Sequence, residues 1–299
     1  MRTQTIRYLL AAALAAWPGL LPAQPTAHYE PGIEGIKGPS LPPPGFYIRD
    51  YNVIYTADEL NDPSGHNLHV QNLNALIYAN VPRAIWITPE KLLGGNVGVD
   101  ALLPLVYTSL KVPPAHFDQS TFGVGDFFAE GTLSWHPKQF DFSVGAGSWA
   151  PTGDSAKGLT TRAGKGYWTP MFTAGATWYP DAAKTWAISA LSRYEINTQD
   201  RDTHITTGDA YTLEWGISKS VIKTIDLGLV GYYQDQITAD THLPAGASSG
   251  YNSVAAVGPE INVAFPSCML FASLRYNYEF MAENRLQGHT IALTLTKKF

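Results

Sequence analysis

The feature that most constrains this chain is its period. From Gly45 to Phe299, apolar and polar residues alternate one by one in long runs, which is the repeat of an extended strand and not the 3.6-residue repeat of a helix. In the last run Ile291, Leu293, Leu295 and Phe299 share one face, and Thr290, Thr294, Thr296 and Lys298 the other. Leu270, Ala272, Leu274, Tyr276, Tyr278 and Phe280 alternate in the same way with Ser273, Arg275, Asn277 and Glu279. Twelve such segments can be marked, at roughly 45–57, 69–88, 95–110, 124–137, 139–151, 166–180, 184–199, 204–220, 223–238, 250–265, 268–283 and 288–299. They exceed the ~5–6 residues usual for strands of soluble domains. They suit strands that cross a bilayer at a tilt, which need about 9–11 residues in the hydrocarbon.

Composition agrees once it is resolved along the chain. The 299 residues are 45% hydrophobic and 15% charged, against about 25% charged in an ordinary soluble domain. Mean hydropathy is nevertheless −0.09, as expected when an oily face and a polar face are interleaved. After the N-terminus no apolar run approaches the ~18 residues of a spanning helix. The single cysteine, Cys268, excludes a disulfide framework and a cysteine-based zinc site. A net charge of −5 gives no electrostatic footprint for nucleic acid.

The N-terminus reads as an address. Arg2 and Arg7 precede the apolar stretch 8–17, and small residues follow up to Ala23. This is a secretory signal over residues 1–23, too short to span a membrane. Residues 24–44, rich in proline and glycine and without a period, read as an arm. A plain tether is the first reading and a plug folded into a lumen the alternative. Residues 45–299 form the strand-bearing domain.

Connections alternate in length. Short ones at 137–138, 180–184, 220–223 and 266–267 fall between long polar ones at 57–68, 111–122, 152–165 and 239–250. Aromatics cluster toward both ends: Trp135, Trp178, Tyr179, Trp186, Phe265 and Phe299 near the short turns, Tyr55, Tyr107, Tyr194, Tyr211 and Tyr251 near the long loops. Short turns on one side, long loops on the other and two aromatic girdles define a transmembrane antiparallel up-and-down β-barrel of the outer-membrane type. About twelve strands are expected, with both termini on the periplasmic side. Its expected partners are outer-membrane lipid, a small-molecule solute, and the barrel assembly machinery through the terminal Phe299. No cofactor and no metal is called for.

Several stretches resemble one family of outer-membrane barrels, named for the MetA pathway of phenol degradation. They include 41–52 (LPPPGFYIRDYN), 87–106, 123–128 (GVGDFF), 150–154 (APTGD), 164–169 (GKGYWT), 192–203, 228–238, 257–261 and 278–299. The resemblance covers nearly all of the chain after the signal. It implies an outer-membrane, porin-like channel or transporter, associated with the uptake of aromatic compounds of the phenol type.

Period two turns a set of ionisable groups inward: Asp100, Asp126, Glu130, Asp141, Arg193, Glu195, Glu214, Asp226, Glu260, Arg275 and Glu279. Stability alone requires this, because a basic group facing lipid at the midplane costs about 2–4 kcal/mol. One reading is a solvated or ion-paired interior. The sharper one is that Arg193, Glu195, Arg275 and Glu279 line a selective constriction. Tyr78, Phe128, Trp149, Tyr232 and Phe271 add apolar groups to the inward set, which suits a small amphipathic or aromatic solute. Pro104, Pro170 and Pro259 interrupt strands, each removing a ladder hydrogen bond, and are expected at bulges or kinks or at a lateral opening.

Enzymatic motifs fail. Gly158–Lys165 has the wrong spacing for a phosphate loop, and no helix follows Gly145 and Gly147. His66 and His69 lie in a polar loop. Glu130, Ser134 and His136 share a face, as an outer-membrane lipid hydrolase would need. Two residues along a strand are about 6.8 Å apart, however, beyond hydrogen-bond reach. A purely structural or adhesive barrel remains the other alternative to a channel.

Overall fold

A computed structural model describes residues 27–155, 161–247 and 249–299, and the expected signal segment lies outside them. The strands are β1 (Gly45–Leu60), β2 (Asn74–Leu92), β3 (Gly95–Leu102), β4 (Leu105–Val112), β5 (Phe117–Val124), β6 (Phe127–Trp135) and β7 (Phe140–Ala150). They continue as β8 (Thr169–Trp178), β9 (Trp186–Glu195), β10 (Ala210–Ile222), β11 (Ile225–Gln236), β12 (Ser253–Phe265), β13 (Leu270–Glu283) and β14 (Leu286–Lys298). All pair antiparallel. β1 pairs with β14 on one side, from Tyr47↔Lys298 to Leu60↔Leu286, and with β2 on the other, so the sheet closes on itself. Closure leaves no unpaired edge in lipid, the condition for strands to span a membrane.

Fourteen segments make twelve crossings, because two crossings are broken in the middle. β2 pairs with β4 through Asn74–Asn80 and with β3 through Arg83–Leu92, so β3 and β4 are halves of one crossing. β5 pairs with β4 and β6 with β3, so they are halves of the next. The breaks fall at Leu103–Pro104 and Gly125–Asp126, where the Gly125 amide donates to the Pro104 carbonyl. Pro104 thus sits at a true interruption. Pro82, which sequence reasoning passed over, lies opposite, where β2 changes partner. Pro170 is near the start of β8, where its carbonyl accepts from the Ile196 amide. Pro259 loses its pairing with β13 without changing the register, and the bulge of that strand is at Ala255/Ala256.

Other expectations change in detail. The expected long loop 111–122 is instead strand on both sides of a single 3-10 turn, Pro113–Ala115. Trp86, Trp178, Trp186 and Phe265 face outward at the short-turn end. Tyr55 and Tyr179, assigned above to the girdles, turn inward, their hydroxyls donating to Glu279 and Asp141. Tyr78, assigned inward, faces out: it is 39% exposed, and β2 turns its neighbours Ile77 and Ala79 to the lumen. Beside the broken crossings the outer wall carries a polar cluster. Asp50 accepts from the Asn52 and Asn80 amides, and Tyr78 donates to Asn52.

Candidate functional site: the lumen, its arm and an apolar cavity

The inward charges form a receptor for the chain's own N-terminal arm. Residues 27–44 climb the lumen from the periplasmic end, where Ser40 bonds Thr177, to the loop above β7, where Lys165 donates to the Ala27 carbonyl. The described residues of the arm, 27–44, form no helix or strand, so their backbone groups need partners elsewhere. The barrel supplies carboxylates. Glu195 accepts from the His28 and Tyr29 amides at 3.0 and 3.1 Å, Glu214 from the Gly32 amide at 2.8 Å, and Glu260 from the Ile36 amide at 2.9 Å. Side chains add to this. Tyr29 donates to Glu214 at 2.7 Å, Lys37 pairs with Asp226 at 2.6 Å, and His28 bonds Asp126 at 3.0 Å. Arg275 donates to the Ile33 carbonyl, and Arg193 lies 3.9 Å over the Tyr29 ring. Hydrogen bonds to charged groups contribute about 1.5–3 kcal/mol each, so the seat is strong.

Two glycines allow the fit. Gly32 and Gly35 have φ of +84° and +68°, a region open to glycine at little cost. A Cβ on Gly35 would collide with the Glu260 carboxylate, and one on Gly32 would lie 2.8 Å from the Tyr232 ring.

At mid-height the relation reverses, and the arm supplies the carboxylate. Glu34 accepts from Arg83 at 2.8 Å, Arg49 at 3.0 Å, Arg193 at 3.4 Å and the Tyr51 hydroxyl at 3.2 Å. Arg83 also binds Asp100 and Glu130 at 2.8 and 2.9 Å, and Arg193 binds Glu214 at 2.6 Å. Burial alone would raise the Glu34 carboxyl, but Arg83, Arg49 and Arg193 outweigh it and hold it well below the usual carboxylate range. Burial dominates elsewhere in the arm. It lowers His28 to about 4 against the Asp126 hydrogen bond, and raises Glu30 to about 7 against nearby Arg285.

Of the residues proposed from sequence, Asp126, Arg193, Glu195, Glu214, Asp226, Glu260 and Arg275 all touch the arm. Glu130 meets it through Arg83. Glu279 instead binds the Tyr55 and Tyr232 hydroxyls and the Gly288 amide, and Asp141 binds His136 and Tyr179 and accepts from Ser40 of the arm. Arg49, Arg83 and Glu34 were missed. For Arg83 a signal existed: Trp86 facing lipid places Ala84 and Pro82 outward, hence Arg83 inward.

The arm leaves part of the lumen free. A cavity of about 170 Å³ lies on its extracellular side, against β1–β4 and β6–β9. Val53, Ile77, Ala79, Val81, Leu102, Val106, Phe128, Trp149 and Met171 line it, and it reaches Pro104 and Gly125 at the broken crossings. Phe128 and Trp149 pack with ring centroids 4.7 Å apart. A second cavity of about 400 Å³ lies on the periplasmic side, between the arm and β1 and β11–β14, with Phe271 on its wall. Glu34 lines both cavities and a small third one against β2, β3 and β6–β9, so its ion-pair cluster is the septum of the lumen.

Fold and site define a class: an outer-membrane β-barrel whose lumen holds its own N-terminal arm. The chain belongs to the family described as "Putative MetA-pathway of phenol degradation", whose model matches residues 57–295. Among solved structures it is similar to an outer membrane channel from Pseudomonas putida F1, at 14% identity, 91% of this chain, 100% of that chain and a TM-score of 0.77. It is more distantly similar to the β domain of the Bordetella autotransporter BrkA, at 10% identity, 85% and 99% coverage and a TM-score of 0.49. The first likeness establishes the fold. No curated protein matches the chain.

Proposed function

We propose that the protein is an outer-membrane channel that admits small aromatic compounds one at a time and is closed at rest by its arm. The observation that carries this reading is the cavity of about 170 Å³, with mainly apolar walls and charged groups at its margin, inside a closed barrel. A dry cavity of ~150 Å³ lined by Leu, Ile and Phe holds one benzene, so this one has room for a single ring. Family membership supports the choice of aromatics. Uptake of phenol and toluene into liposomes bearing the purified protein tests it. Entry faster than into protein-free liposomes is expected, and equal rates would refute the reading.

The same geometry favours a non-enzymatic role. Ser134 is buried without a hydrogen-bond partner, and His136 is engaged with Asp141, so no nucleophile–base pair is formed by these two. A purely structural barrel would have no need of a mainly apolar cavity in its lumen. Phe299, which ends the closing strand's outward row, is proposed as the residue read during assembly.

A lateral exit is favoured by one further observation. The cavity reaches Pro104 and Gly125 where the wall is interrupted, and the polar cluster around Asp50 and Asn52 faces out beside it. A disulfide across the break, Pro104→Cys with Gly125→Cys, where an ideal Cβ on Gly125 lies 2.9 Å from the Pro104 Cβ, would separate the routes. It would slow toluene uptake if exit is sideways and leave it unchanged if exit is axial.

A further inference from the structure

The septum of the lumen is also the place where a ligand's charge would be read. Three guanidiniums from β1, β2 and β9 converge on one carboxylate, and that carboxylate belongs to the removable element. The cluster is built to persist without it. Arg83 stays fixed by Asp100 and Glu130, Arg193 by Glu214, and Arg49 by the Thr296 hydroxyl at 3.1 Å. In Arg83 the Nε and Nη2 donors are taken by the barrel, and Nη1 alone is given to Glu34. This is a preorganised carboxylate site whose occupant comes from the arm, since arginine forks match carboxylates in shape as well as charge. Arg83, Arg193, Tyr51 and Glu34 also line the apolar cavity, so a ring lodged there would carry a substituent to the cluster.

We propose that Glu34 is an internal stand-in for a ligand, and that the Arg49–Arg83–Arg193 cluster is a binding site for small aromatic carboxylates. The ring occupies the apolar cavity and its carboxylate replaces that of Glu34. This rests on the aromatic-channel reading above and adds the substrate's charge and the trigger of opening. Exchange of one carboxylate for another leaves the charge of the septum unchanged, so the buried arginines are never exposed unpaired. It also withdraws the arm's central anchor and so joins the two cavities that Glu34 divides.

Competition makes a specific demand: removing Glu34 must improve binding of the charged ligand alone. Benzoate and its neutral isostere benzamide are titrated calorimetrically into wild type, Glu34→Ala and Glu34→Gln, each confirmed as folded barrel by heat-modifiable migration on gels. Benzoate is expected to bind Glu34→Ala roughly tenfold more tightly than wild type, with benzamide unchanged. Arg49→Gln in the Glu34→Ala background should abolish the gain. Glu34→Gln should also gain, because the competing charge is gone while the side-chain volume is kept. Benzoate binding that is indifferent to Glu34, or a gain shared equally by benzamide, would overturn the proposal and leave the channel reading standing. Binding of neither ligand to any form would overturn both.

Discussion

The two walls of the lumen do opposite work. The wall formed by β9–β13 carries Glu195, Glu214, Asp226, Glu260 and Arg275, and the arm is bonded to it almost residue by residue. The wall formed by β1–β4 and β6 carries Val53, Val81, Leu102 and Phe128, and there the arm leaves a cavity. Both walls alternate with the same period and face the same lipid outside. Their inner faces alone make one the seat of the arm and leave space along the other. Glu34 and its arginines stand on the line between them.

The contrast can be broken from either side. Deleting residues 24–44 should raise single-channel conductance roughly tenfold, because a barrel of twelve strands lies between filled eight-stranded and open sixteen-stranded ones. A conductance equal to wild type would mean that the arm does not close the lumen. Arg83→Ala strands the Asp100 and Glu130 carboxylates and takes one of three guanidiniums from Glu34, and loss of one partner in a buried network costs about 3–5 kcal/mol. Its denaturant midpoint should fall accordingly. Ala79→Trp should fill the cavity, abolishing aromatic uptake without raising salt conductance, since Ala79 itself bonds nothing in the arm and most of the arm's bonds lie on the other wall. If both changed together, the two walls would not be separable.

The smallest effects are expected from pH. The seated arm keeps His28 neutral, with its pKa lowered to about 4, so His28 weakens the seat as pH falls below 6.5. It also holds Glu30 protonated up to about pH 7, so Glu30 weakens the seat as pH rises from about 4.5 through 7. Between pH 7 and 5 each amounts to about 2 kcal/mol with opposite sign, and they nearly cancel. Wild-type conductance should therefore vary little over this range. Glu30→Gln should open on acidification, and His28→Gln should close further. Parallel slopes in the two variants would contradict this assignment.

What was legible in the sequence follows from where its information lies. The outward face is dictated by lipid, so period two placed the strands and the inward charges with few exceptions. Tyr78 and Tyr55 escaped it because a tyrosine is at home both in an interfacial girdle and in a wet lumen, and composition cannot choose. Arg49 and Asp50 are adjacent, so one of them had to face out. Period two alone does not say which, and the outward Asp50 is held by Asn52 and Asn80. The break at Pro104 was marked by its proline, whereas its partner at Gly125 and the switch at Pro82 depend on pairings between distant strands. Above all, the inward charges were visible but their purpose was not. They look like a constriction until the arm is placed among them, and an arm without a period carries no signal of where it docks.

The most direct test fixes the arm in place. An ideal Cβ on Gly216 lies 3.0 Å from the Ile36 Cα, close enough for a disulfide between cysteines at these positions. In an Ile36→Cys, Gly216→Cys variant with Cys268→Ser, uptake of benzoate into liposomes should be lost under oxidising conditions and regained on reduction. Uptake that continues at the wild-type rate with the arm covalently held would contradict the claim that this arm is the gate.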